Sequence, residues 1–243
     1  MGLDVYVGSL TRYYLGEWET IVQRMAREQG MEFQVVRKPP NRSIIHRILE
    51  RVRWFRSGPE EMRKTMLQWQ RTLARESGIG SLFEWNDELE YEYFTDKPAW
   101  DCYGALLLWA CYDQVPTATP PATARDWTTD VAYQAVRGLR ELPYPHLLQD
   151  TEFWFPVDFP FPFRARTILQ EDVEIGSSIR LLEELRSLNT RTWHATPAEL
   201  SNWRREGAQY GAPLEKSAQF AFALLYELCE LAVQHRLPMK LDY

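Results

Sequence analysis

The chain has 243 residues, 45% of them hydrophobic and 26% charged, the balance of a packed globule rather than of a disordered tail. Its formal net charge of −6 argues against general nucleic-acid binding, whose affinity rests on cationic contacts to phosphate. The longest apolar run, residues 104 to 112, is too short for a bilayer span, and no secretion signal is visible, so a cytoplasmic protein without membrane contact is expected.

In chain order, Leu3, Val5 and Val7 alternate with Asp4 and Tyr6 and predict a short strand. Trp18, Ile21, Val22 and Met25 follow at helical spacing up to a stop at Gly30. "MEFQVVR", residues 31 to 37, reads as a second strand, and the three elements suit a βαβ unit whose strands are parallel and adjacent. Two helices then predict a helical-hairpin insertion over 41 to 76. The first has Ile44, Ile45, Ile48, Leu49, Val52 and Phe55 on one stripe. The second starts at Pro59 with Glu60 and Glu61 in its first turn, and its buried face is Met62, Met66, Trp69 and Leu73.

"ELEYEYF", residues 88 to 94, alternates acids with Leu89, Tyr91 and Tyr93 and predicts a half-buried strand. The next helix, entered through Asp96 as its cap and Pro98, is apolar almost all round and belongs in the middle of the protein. The composition of residues 115 to 126 is that of a linker, and 115–125 is the place for a weak boundary in what otherwise reads as one domain over 1–243. Helices are expected near 127–140, 177–188 and 213–235, with Thr196, Pro197 and Glu199 forming a capping box between the last two. The sum is an α+β, helix-dominated fold, a small N-terminal sheet packed with several helices in one compact domain.

"FWFPVDFPFPF", residues 153 to 163, puts six aromatics and three prolines into eleven positions. All its odd positions are apolar, which in an extended chain gives one apolar face, and the prolines remove ladder donors. An extended arm strapped over the core is expected, not a central strand; the rival reading is the wall of a ligand cleft or a docking surface.

No motif fixes a reaction. Dinucleotide, P-loop, HExxH, CxxC and nucleophile-elbow patterns do not occur. His46, His146, His194 and His235 are far apart, without further ligands at metal spacing, so neither metal nor cofactor is expected. Cys102, Cys111 and Cys229 are too few for a disulfide framework and read as buried reduced thiols. Gly176, Ser177 and Ser178 open a helix as an ordinary N-cap rather than as an anion site.

Charge segregation is the most informative feature. Arg37 to Arg75 holds eleven Lys and Arg against three acids, and Glu76 to Asp101 holds eight acids against one Lys. If 88 to 94 is a strand, Glu88, Glu90 and Glu92 share a face about 7 Å apart and repel unless something cationic meets them. Either the hairpin's Arg47, Arg51 and neighbours do so internally, or a basic partner does. The acidic segment is interleaved with aromatics, the composition of a protein-binding surface. The candidate partner-binding residues are Glu84, Trp85, Asp87, Glu88, Glu90, Glu92, Asp96, Trp100 and Asp101.

The leading functional expectation is a non-catalytic intracellular protein that binds a basic partner, in concrete form a bacterial immunity-type protein occluding a toxin's active cleft. The alternative is a carboxylate-dependent hydrolase or transferase with an aromatic-lined cleft, using Asp96, Asp101 or Asp158 as acid or base. A nucleic-acid adaptor built on the arginine hairpin ranks last, because the overall charge opposes it.

Overall fold

The computed structural model describes residues 3–31, 58–80, 83–115, 117–124, 127–207 and 211–243. Six short strands form one mixed sheet: β1 (Asp4–Val7), β2 (Phe94–Asp96), β3 (Thr151–Phe155), β4 (Phe163–Arg166), β5 (Asp172–Ser177) and β6 (Met239–Asp242), in the order β2-β1-β6-β3-β5-β4. Neighbours are antiparallel except β3 and β5. Nine α-helices accompany it among the described residues: α1 (Leu10–Leu15), α2 (Ile21–Glu28), α3 (Pro59–Glu76), α4 (Trp100–Gln114), α5 (Val131–Arg137), α6 (Pro145–Leu148), α7 (Ser178–Arg191), α8 (Pro197–Glu206) and α9 (Leu214–His235). The fold is α+β and helix-dominated, as the sequence predicts, but four of the six strands come from beyond residue 150.

Both faces of the sheet are covered, so strand alternation sorts side chains between two cores rather than between core and water. Leu3, Val5, Val7, Trp154, Met239 and Leu241 pack with α4, α5, α7 and α9. Tyr6, Phe153, Phe155, Val173 and Ile175 pack with α1, α3, Phe83 and Trp85. The apolar helix α4 lies in the first core against α9, buried on nearly every side, as its sequence demands. In α3, Met62, Met66, Trp69 and Leu73 are the buried stripe, also as predicted. Cys102, Cys111 and Cys229 are buried and free, and burial pushes the Cys111 thiol up to about 12.

Several expectations are corrected. Strand β1 has β2 on one side and β6 on the other, both antiparallel, which leaves no position for the adjacent parallel strand of a βαβ unit. Of the proposed strand 31–37 only Met31 is described, and it is exposed coil. The first hairpin helix, with Arg47, Arg51 and His46, lies outside the described residues. Helix α2 has the expected place, started by a Thr20–Gln23 capping box, but its stripe is not core: Val22 and Met25 are exposed and Ala26 is its buried residue.

The aromatic-proline stretch is split. Phe153, Trp154 and Phe155 belong to β3, a central strand paired to both β6 and β5, and the prolines fall after its end, so no ladder donor is lost. The core-covering role holds for Phe153, Phe155, Val157 and Phe159, all in the second core, whereas Phe161 is exposed.

Candidate functional site

Residues 83 to 93 do not form the predicted strand. They run as an irregular loop into β2, with a turn at Leu89 and Glu90, because three long-range attachments outweigh the local alternation. The Asp87 carboxylate accepts from Ser9 Oγ at 3.0 Å and from Thr11 N at 3.0 Å, and also from the Thr11 hydroxyl, so it caps the start of α1 from outside. The Arg12 guanidinium donates to the Leu89 carbonyl. Asn86 N donates to the carbonyl of Arg236, just past α9, at 2.8 Å.

Within this frame the loop alternates between anchor and display. Phe83 and Trp85 point inward, Trp85 with its ring centroid 4.7 Å from that of Phe155, and exposed Glu84 lies between them. Trp85 is therefore a core residue and not an exposed aromatic anchor. Glu88, Glu90 and Glu92 are all exposed. Glu88 meets Arg63 of α3 at 3.8 Å, a long pair with both side chains about half exposed. No ion pair engages Glu84, Glu90 or Glu92 among the described residues. Tyr91 is 44% exposed; Tyr93 turns in to stack on Tyr6, with the Arg12 and Arg24 guanidinium groups over its ring.

The remaining candidates lie at the other end of β2. Asp96 does not cap α4, whose N-cap position is Ala99; instead it accepts from Lys97 N at 2.7 Å and from Arg204 of α8 at 2.7 Å. Trp100 is half-buried edge-on to Tyr243, and Asp101 is exposed in the first turn of α4. The nine candidates thus divide into a displayed loop and a separate group beyond β2. Asp158, offered with Asp96 and Asp101 for acid/base work, is paired to Arg180 beyond the opposite end of the sheet, so the three carboxylates share no centre.

A second set of carboxylates escapes sequence reading. The register brings Asp96, Asp4, Asp242, Glu152 and Asp172, on β2, β1, β6, β3 and β5, to the same end of the sheet, on neighbouring strands about 4.8 Å apart. Burial raises the pKa of Asp4 and of Glu152, opposed by Lys97 and Lys240 respectively. Cations already meet the others: Arg204 at Asp96, Lys240 at Asp242 and Arg166 at Asp172. The "LDVYV" and "MKLDY" alternations were the available signal, but only strand pairing reveals the row.

His146 is structural. Its Nδ1 accepts from Ser177 N at 3.0 Å and its Nε2 faces the Pro160 carbonyl at 3.2 Å, and burial lowers its pKa to about 4. Ser177 N-caps α7 through Arg180 N, the ordinary role expected of it. His235 ends α9 with its ring against Phe94. Among the described residues no group of three or more His, Cys, Asp or Glu is placed to hold a metal ion, and no helix is long and apolar enough to cross a membrane.

An α+β frame with both sheet faces filled thus carries a stapled, exposed acidic loop on its surface. The chain belongs to a family described as "Putative DNA-mimic protein", which it matches over residues 56–241. The match begins after β1, although β1 lies between two strands inside it. No curated protein and no solved structure matches the chain.

Proposed function

We propose that this protein is a non-catalytic DNA mimic whose loop 84–92 enters the cationic cleft of a DNA-binding protein and keeps DNA out. The observation that carries the reading is the contrast between two acidic regions. At the sheet end, Asp4, Asp96, Asp242 and Asp172 have cations within 4.0 Å, whereas Glu84, Glu90 and Glu92 project without one among the described residues. Carboxylates held in place offer a cationic cleft what phosphates offer, charge at close spacing, and rigidity lowers the entropic cost of docking. Asp96, Trp100 and Asp101 form a flanking contact in this reading. The family description supports mimicry, and a DNA-acting toxin with a basic cleft is a partner of the right chemistry, which makes the chain its immunity protein inside the producing cell.

The test is capture from the native cell on immobilised protein, with elution by duplex DNA. The reading predicts that retained proteins also bind DNA-cellulose and are released by the duplex, and that combined Glu84→Lys, Glu88→Lys, Glu90→Lys and Glu92→Lys substitution abolishes retention. Retention indifferent to duplex DNA rejects mimicry, and retention indifferent to the substitutions rejects the placement.

A further inference from the structure

Beside the acidic loop, α3 and residues 85 to 88 enclose an open groove of about 130 Å³ lined by Arg63, Met66, Leu67, Gln70, Trp85 and Glu88. Its composition differs from that of the loop itself. Met66 and Trp85 are buried residues that give it an apolar floor, and Leu67, 45% exposed, forms an apolar rim. Acceptors stand around that rim: the Glu88 carboxylate, the Gln70 amide, and Asn86 Oδ1, which takes one bond from Glu88 N at 3.2 Å and has a lone pair left. The rim is fixed, since Asn86 N is tied to Arg236 and the Asp87 carboxylate to Ser9 and Thr11.

We propose that this groove is an arginine socket, taking up one arginine side chain of the basic partner while Glu88 exchanges Arg63 for the incoming guanidinium. The inference rests on reading loop 84–92 as the partner-binding element, and it adds the chemistry of the contact. A guanidinium is planar, weakly hydrated and able to lie on an aromatic or thioether wall while donating to several acceptors at once. A lysine ammonium is compact and strongly hydrated, and gains little from an apolar floor. Arg63 shows that a guanidinium reaches this place, and its exposed 3.8 Å pair with Glu88 is of the kind that contributes little and exchanges readily.

Fluorescent nona-arginine and nona-lysine peptides, titrated into the full chain at about 0.15 M salt, separate the alternatives by anisotropy. The socket predicts nona-arginine tighter by about fivefold or more, a preference lost in Glu88→Gln and in Leu67→Asp, two exposed sites whose folding is checked by thermal melting. Arg63→Gln, which removes the internal competitor, is expected to strengthen nona-arginine by about threefold more than nona-lysine. Equal binding of the two peptides to the wild-type chain, with both weakened by reversing Glu84, Glu90 and Glu92, overturns the socket and leaves the loop reading standing. Binding that ignores those reversals overturns both.

Discussion

Asp87 is the residue on which the displayed loop depends, although its own carboxylate faces inward. In Asp87→Ala, Thr11 N and the Thr11 hydroxyl lose their acceptor and Ser9 Oγ is left with only the Asp87 backbone carbonyl at 3.1 Å, and Thr11 is fully buried. A hydrogen bond to a charged group contributes about 1.5–3 kcal/mol. The three share one carboxylate and water reaches Asp87, so the losses do not add, and the expected cost is about 3 kcal/mol. Asp87→Asn keeps one carbonyl acceptor for Thr11 N and is expected to cost about 1 kcal/mol. Urea unfolding followed by tryptophan fluorescence gives both values, and hydrogen exchange locates them. Amides of residues 84 to 93 in the alanine variant are expected to exchange faster, while those of β6 follow only the change in global stability. The alanine variant should also lose partner affinity, although every outward carboxylate is still present. A destabilisation below about 0.5 kcal/mol, with loop exchange unchanged, refutes the idea that this carboxylate holds the loop.

Trp85→Ala is expected to cost about 3–5 kcal/mol in unfolding free energy, as for a core aromatic; a near-neutral result with lost partner binding restores the exposed-anchor expectation. His146 has a folded pKa of about 4 against 6.5 unfolded, so its contribution is present above pH 6.5 and is lost as pH falls through about 4. Urea midpoints in that window should drop by the equivalent of about 3 kcal/mol, and His146→Gln should flatten the drop. Glu184 accepts from His146 N and Leu147 N, yet burial pushes its carboxyl up to about 8 from its ordinary 4.5. Its sign is the reverse: stability is full below about 4.5 and declines as pH rises through about 8, a decline that Glu184→Gln should remove. Paired melting curves of the two variants across pH decide both.

Where local chemistry decides, sequence and structure agree. The Pro59 start and apolar stripe of α3, the Thr196–Glu199 capping box of α8, and the long apolar α9 all depend on residues within a few positions of one another. Disagreement appears where a distant residue competes. Residues 88 to 94 alternate like a strand, but Asp87 is bound to Ser9 and Thr11, 78 and 76 residues away, and Arg12 holds Leu89 across 77. Strands β4, β5 and β6, four to six residues long, carry too little periodicity to stand out without their partners. The acidity of 84 to 101 was legible from composition; that Trp85 turns inward while Glu84 turns out depended on Phe155, seventy positions on. The row of sheet-end carboxylates required the register itself.

The place of β6 has a consequence for biogenesis. Residues 239 to 242 separate β1 from β3, so until they leave the ribosome the nascent chain holds two disconnected ribbons, β2-β1 and β3-β5-β4, each with a bare inner edge. The sheet cannot close until residues 239 to 242 are available, a high-contact-order route that favours chaperone capture over stepwise co-translational folding. A chain that lacks residues 239 to 242 is therefore prone to edge-to-edge association between its two ribbons.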